Sequence, residues 1–169
     1  MRNGSQDRLP DTRGIGINTG NAQVGNTGSQ HKFKYGPLGN TVILACRVQG
    51  ATKKVKCDVI VTENTLYRLN DREGTRRLCL VEVINIPYPV DLYELVRDAS
   101  EEWKVLSTTH EEAMDSFATH DYRKAVEQLG QLLIKNQDDG PTLILLSRVV
   151  SAMTTGPHEK HPVWVLDQK

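Results

Sequence analysis

The sequence is short of nearly everything that marks a specialised class of protein. Of its 169 residues only 5% are aromatic and 38% hydrophobic. The second figure lies below the usual share for a globular chain, so any core it builds is thin. Lysine plus arginine and aspartate plus glutamate number 21 each, leaving no net charge. That balance excludes a strongly basic nucleic-acid binder and an acidic, disordered tail. No stretch approaches the roughly 18 consecutive apolar residues of a membrane span, and Met1–Arg13 is too polar for a secretory signal. Cysteine occurs at Cys46, Cys57 and Cys79. An odd count without CxxC spacing points to reduced thiols in a cytoplasmic chain, not to a zinc site. The five histidines, His31, His110, His120, His158 and His161, share no metal-ligand spacing.

What is present is unevenly distributed. Residues 1–96 hold 13 basic and 9 acidic side chains, and residues 97–169 hold 8 and 12, a change of sign that favours two modules. Met1–Arg13 has no apolar periodicity and reads as a disordered lead-in. Ile15 and Ile17 then alternate with Gly14, Gly16 and Asn18, the period of a strand. Further extended pieces are expected around Ala22–Val24 and at Phe33–Tyr35, the second ending at Gly36-Pro37. A helix over 41–50 follows, with Asn40 or Thr41 as N-cap, a core stripe of Val42, Ala45, Cys46 and Gln49, and Gly50 as its stop. Asp58–Thr62 reads as a strand, Glu63–Leu69 as a helical turn, and Arg77–Ile86 and Val90–Leu95 as a pair of strands around Pro87-Tyr88-Pro89.

From Arg97 the period changes to that of a helix. Trp103, Leu106, His110, Ala113, Met114 and Phe117 line one helical face, and His120-Asp121 turns the chain. Tyr122, Ala125, Val126, Leu129, Leu132 and Leu133 line a second helix. Asp138-Asp139-Gly140-Pro141 leads into a third, carrying Leu145, Leu146, Val149, Val150 and Met153, with Pro141 at a position where its missing N–H costs nothing. The first two of these helices look like one tetratricopeptide-type repeat. One repeat cannot bury its own faces and must pack on something else. Residues 155–169 read as a polar tail with an apolar knot at Val163–Leu166.

Gly14-x-Gly16-x-x-x-Gly20 misses a dinucleotide fingerprint by one residue and has no helix after it. Lys53, Lys54 and Lys56 read as a solvated helix end. Ile43, Arg47 and Gly50 lie on one stripe of the 41–50 helix, apart from its expected core stripe.

The segments Gly14-Ile-Gly-Ile-Asn-Thr-Gly20, Val24-Gly25, Thr27-Gly28-Ser29 and Phe33-Lys-Tyr-Gly-Pro-Leu-Gly-Asn-Thr-Val42 together resemble class III adenylate/guanylate cyclases. The series runs on through Ala45-Cys-Arg47, Ala51-Thr-Lys53, Ile60-Val-Thr62-Glu-Asn-Thr65, Arg76-Arg-Leu78, Val81-x-Val83 and Pro89-Val-Asp-Leu-Tyr-Glu-Leu95. It covers about half the chain, residues 14–96, and corresponds to the C-terminal half of that catalytic domain. The helical segment and the Trp164-Val-Leu-Asp167 ending look like the tail of some bacterial members.

The resemblance implies conversion of ATP or GTP to a 3′,5′-cyclic nucleotide with loss of pyrophosphate, at the interface of two catalytic domains. Two Mg or Mn ions, held by two aspartates, would activate the 3′-hydroxyl and neutralise phosphate charge. Both aspartates, and the purine-contacting lysine, belong to the first half of the domain, which this sequence does not contain. Asp7 and Asp11 sit in the polar lead-in and do not replace them. Arg47 matches the arginine that stabilises charge developing on the phosphate. Gly36 stands at the base-selecting position, often Asp or Thr, so the choice between adenine and guanine cannot be read there. Ile43 replaces an Asn that orients the ribose, and Ile84 stands where many members have a phosphate-binding Lys. Arg76 or Arg77 is a candidate substitute for that lysine.

The expectation is therefore an α+β chain. It comprises a lead-in (1–13), a partial ferredoxin-like cyclase sheet with an interface helix (14–96), a small all-α repeat-like segment (97–154) and a tail (155–169). As isolated it would be an inactive part of a cyclase in cytoplasmic signalling, binding no metal by itself and pairing with a second cyclase domain through helix 41–50. The alternative is a non-catalytic remnant that serves as an interaction module for a complete cyclase. No nucleic-acid partner is expected.

Overall fold

The alternation at the start of the chain does make a strand, but its glycines face the core and its isoleucines do not. In the computed structural model, which describes residues 14–29, 32–84, 86–97, 99–155 and 163–166, strand β1 (Ile15–Ile17) lies against helix α1 (Asn40–Val55). A Cβ on Gly16 would sit 2.1 Å from the backbone nitrogen of Gln49 and 2.7 Å from the carbonyl oxygen of Ala45. Only glycine permits this approach of strand to helix. Ile15 and Ile17 point the other way and are exposed.

Between them, β2 (Gln23–Ser29) and β3 (Lys32–Leu38) form a separate antiparallel ribbon, with Gly25 opposite Gly36 and Val24 opposite Pro37. The ribbon is longer than the sequence pattern suggests and runs through Gly36-Pro37. Each strand of a two-stranded ribbon has a free edge, where a proline's missing N–H is tolerated.

The remaining elements are β4 (Val59–Thr62), α2 (Glu63–Leu66), β5 (Thr75–Val83), β6 (Val90–Leu95), α3 (Glu101–Ala118), α4 (Tyr122–Lys135), α5 (Gly140–Thr155) and β7 (Val163–Leu166). One mixed sheet has the order β1-β4-β6-β5-β7. Its outer pairs β1/β4 and β5/β7 are parallel, and the inner ones are antiparallel. The chain is α+β, consistent with part of a ferredoxin-like fold. The knot Val163–Leu166 is a sheet strand: it pairs with β5, and Trp164 packs on the sheet's core cluster.

Helix α1 corrects three expectations. Its buried face is Leu44, Val48, Ala51, Thr52 and Val55, while Cys46 and Gln49 are exposed. It also runs through Gly50 and stops at Lys56, which is left-handed at φ 61°. A helical glycine costs about 1 kcal/mol, whereas burying Val55 alone contributes about 1.5–3 kcal/mol. The core behind Gly50 therefore wins. The N-cap is Gly39, without a side-chain cap bond; neither Asn40 nor Thr41 fills that role.

Two core clusters form. In one, α1 packs on Ile60, Leu78, Cys79, Val81, Val83, Val90 and Leu92 of the sheet. In the other, α3, α4 and α5 join Ala113, Phe117, Ala125, Leu129, Leu145, Val149 and Ala152. Ser100 caps α3 by accepting from the Trp103 amide, with Glu101 and Glu102 in the first turn, and Asp121 caps α4 by accepting from the Lys124 amide. Both caps satisfy otherwise orphaned amides, and the two glutamates suit the positive end of the helix dipole. Residues 1–13, His158 and His161 lie outside the described residues.

Candidate functional site

The first turn of α1, the helix carrying Arg47, is stitched to the segment after β1 by two side-chain hydrogen bonds, and a third ties that segment to β4. Asn18 Nδ2 donates to the Thr41 carbonyl at 3.0 Å. Thr41 Oγ1 donates to the Asn21 carbonyl at 2.6 Å, and Thr62 Oγ1 donates to Asn18 Oδ1 at 2.7 Å. The end of β1, the entry to the ribbon, the first turn of α1 and the end of β4 thus share one polar cluster. Each of these bonds contributes on the order of 1 kcal/mol, and together they fix where α1 begins.

Arg47 is half-buried on α1, with no hydrogen bond or ion pair among the described residues. Ile43, one turn earlier, is 42% exposed. The ribbon beside this helix presents Phe33 (72% exposed), Tyr35 (73%) and Leu38 to solvent. Gly36 is half-buried on β3, and a Cβ there would meet nothing within 4 Å. The structure thus puts Gly36 and Arg47 on adjoining elements, an apolar ribbon and a helix with an uncommitted guanidinium.

The candidate phosphate-binding arginines are committed elsewhere. Arg76 is fully buried. Its Nη1 and Nη2 donate to Asp139 at 2.9 and 3.0 Å, its Nε donates to Glu94 at 3.0 Å, and Nη2 also reaches Glu94. Its guanidinium lies 4.8 Å from the centre of the Trp103 ring. Arg77 pairs with Asp115, and its amide donates to Glu111 Oε1 at 2.8 Å. Arg76 is thus not left to meet a phosphate, Arg77 stays about a third exposed with its Nε unpartnered among the described residues, and Ile84 is an exposed apolar side chain.

Electrostatics follow burial. The Glu94 carboxyl is pushed above its ordinary range by burial, against the pull of Arg76. Burial would also raise Asp139, but hydrogen bonds and charge from Arg76, with bonds from Thr142, hold it below its ordinary value. On β6, burial and Glu63 raise Asp91, and burial with Asp91 pushes Tyr93 up to about 12. No three His, Cys, Asp or Glu side chains among the described residues come together as a metal-ligand set.

No family model matches the chain. It is 25% identical over 149 residues to the "Adenylate cyclase, terminal-differentiation specific" of Dictyostelium discoideum, covering 84% of this chain. It is 30% identical over 89 residues to "Adenylate cyclase 1" of Rhizobium meliloti (strain 1021), covering 52% of this chain. The chain is similar to adenylate cyclases. It spans 7% of the length of the first relative and 13% of the second. Coverage of 84% exceeds residues 1–96 by a wide margin, so the likeness to the Dictyostelium protein extends into the helices. No helix among the described residues is long and apolar enough to cross a membrane.

Sequence reasoning missed the Arg76–Glu94–Asp139 cluster. A signal was present: Val90, Leu92 and Glu94 alternate, so a carboxylate occupies a core position of a strand. A charge there requires a buried partner.

Proposed function

We propose that residues 14–96 are the second half of a class III nucleotide cyclase domain, whose reaction converts ATP or GTP to a 3′,5′-cyclic nucleotide and pyrophosphate. The uncommitted Arg47 on α1, beside an exposed apolar ribbon, carries this reading. An arginine with no carboxylate partner among the described residues is free to meet phosphate oxygens as charge develops on them. The planar, permanently charged fork suits that task. The ribbon and the outer face of α1 would meet a second cyclase domain, and helices 97–154 would follow as a repeat-like segment. The metal-binding aspartates would come from the first half of the domain, in the same longer protein or in a partner.

On this reading the 169-residue chain makes no cyclic nucleotide from ATP or GTP with manganese. Turnover by the purified chain would overturn the proposal. Joined to a first half that carries the two aspartates, the chain would cyclise nucleotide, and Arg47→Ala would abolish the product. Ile43 offers neither donor nor acceptor to a ribose. Ile43→Asn in the joined enzyme is expected to raise the rate by about 10²–10³, the worth of one well-placed donor in the transition state.

Exposure of Ile43 also favours a second reading, in which the chain is a non-catalytic remnant that binds a complete cyclase. It predicts saturable association with such a domain, weakened by Val42→Asp. No binding at any concentration would refute it.

A further inference from the structure

The helices α3–α5 join the sheet at a buried polar junction. Arg76 of β5 reaches Asp139 in the turn before α5, and Asp139 Oδ2 also accepts from the Thr142 amide at 3.0 Å. Gly140 packs so closely on the end of α1 that a Cβ would lie 2.3 Å from the Lys56 carbonyl oxygen. This turn therefore covers the C-terminal end of the helix that carries Arg47.

His110 of α3 sits inside the junction, 1% exposed. Its Nδ1 lies 3.1 Å from Thr142 Oγ1 in the first turn of α5, and its Nε2 has no partner among the described residues. The charged groups that act on it are Arg76 and Arg77 of β5 and Asp139 of the turn. That carboxylate is already bonded to Arg76. A proton on the second ring nitrogen would place a third cation beside two guanidinium groups, with no acceptor for its N–H. Such a charge is not tolerated in place, so the ring must leave to keep it.

We propose that His110 makes this junction acid-releasable. When the ring is protonated, α3 parts from the first turn of α5, the Asp139-Gly140 turn lifts from Lys56, and the end of α1 loses its cover. Burial and Arg76, opposed by Asp139, hold the imidazole at about 3 in the closed state. Protonation at mild acidity therefore proceeds through opening.

The test is hydrogen–deuterium exchange of the 169-residue chain at pH 7.5 and 5.5, with rates corrected for intrinsic exchange. Protection in segments 52–56, 107–113 and 140–146 should fall about tenfold at the lower pH. That is the ratio for one imidazole with an ordinary pKa of about 6.5 in the open state. Segment 78–83, whose exchange requires unfolding of the sheet, should stay better protected than these segments at both pH values. In His110→Gln, whose amide can still meet Thr142 but does not titrate, the pH effect should vanish. An unchanged pattern in the wild type, an equal fall in His110→Gln, or exchange of 52–56, 107–113 and 140–146 no faster than that of 78–83 would each overturn the proposal. Should that variant not fold, the imidazole resonances of the wild type decide. His110 neutral in the native state at pH 5.5 agrees with the device, and native titration near 6.5 refutes it.

Discussion

At the scale of single residues, Arg76 shows how much one side chain can hold together. Its guanidinium neutralises Glu94 and Asp139 and stacks over Trp103. Arg76→Ala would leave two carboxylates partly buried and unpaired, and should cost about 3–5 kcal/mol in urea unfolding. Arg76→Met combined with Glu94→Gln and Asp139→Asn should recover most of that loss, because no charge then remains to be neutralised. His110 sets the acid limb of stability. Its folded pKa of about 3 lies below the ordinary 6.5, so the unfolded chain takes up the proton first and stability rises with pH between those values. Between pH 7 and pH 5 the loss should be about 2 kcal/mol, and it should be absent in His110→Gln. The thiols divide by burial. Cys46 is exposed, while burial pushes Cys79 up to about 12 and raises Cys57 as well. Iodoacetamide at pH 8 should label Cys46 in the native chain and the other two only after denaturation, as read by mass spectrometry.

At the scale of elements, the outward parts of α1 and the ribbon make few demands on the fold. Phe33→Ser with Tyr35→Ser should leave the melting transition within about 0.5 kcal/mol of wild type, as surface changes do. The same pair should weaken association with a complete cyclase domain. Loss of stability in the double variant would show that the ribbon packs inward. Gly16→Ala is the contrasting case. Its methyl group would meet the α1 backbone, and about 1–3 kcal/mol of destabilisation is expected. Most elements were legible because their periods are local. The three C-terminal helices, the β5/β6 pair and strand β4 follow from apolar spacing and from Asp and Pro at the turns. The rotation of α1 about its axis was not legible. Val42/Ala45/Cys46 and Leu44/Val48/Ala51/Val55 are both apolar stripes at helical spacing, and only the strand with its close-packed glycine selects between them. Of the candidate site, Arg47 and Gly36 are assigned by motif order, whereas the engagement of Arg76 by Asp139 spans 63 residues and left no local trace.

At the scale of the whole molecule, the open side of β1 governs behaviour in solution. Among the described residues it is an edge strand of the five-stranded sheet, with Ile15 53% and Ile17 37% exposed. An unpaired edge flanked by apolar side chains invites pairing with other chains. The isolated chain should therefore self-associate in sedimentation experiments at micromolar concentration, and Ile17→Lys should reduce this. A monodisperse wild-type monomer would count against the edge as an open face. The sequence by itself determined the α+β class, most element positions and the ordered motifs that resemble a cyclase, because these rest on neighbours in the chain. Tertiary structure alone decided which face of α1 is buried, that Val163–Leu166 joins the sheet, and that Arg76 is taken by two carboxylates while Arg47 has no partner among the described residues. Those outcomes depend on burial and charge compensation between distant segments, and the energy of such contacts is written in no single stretch of sequence.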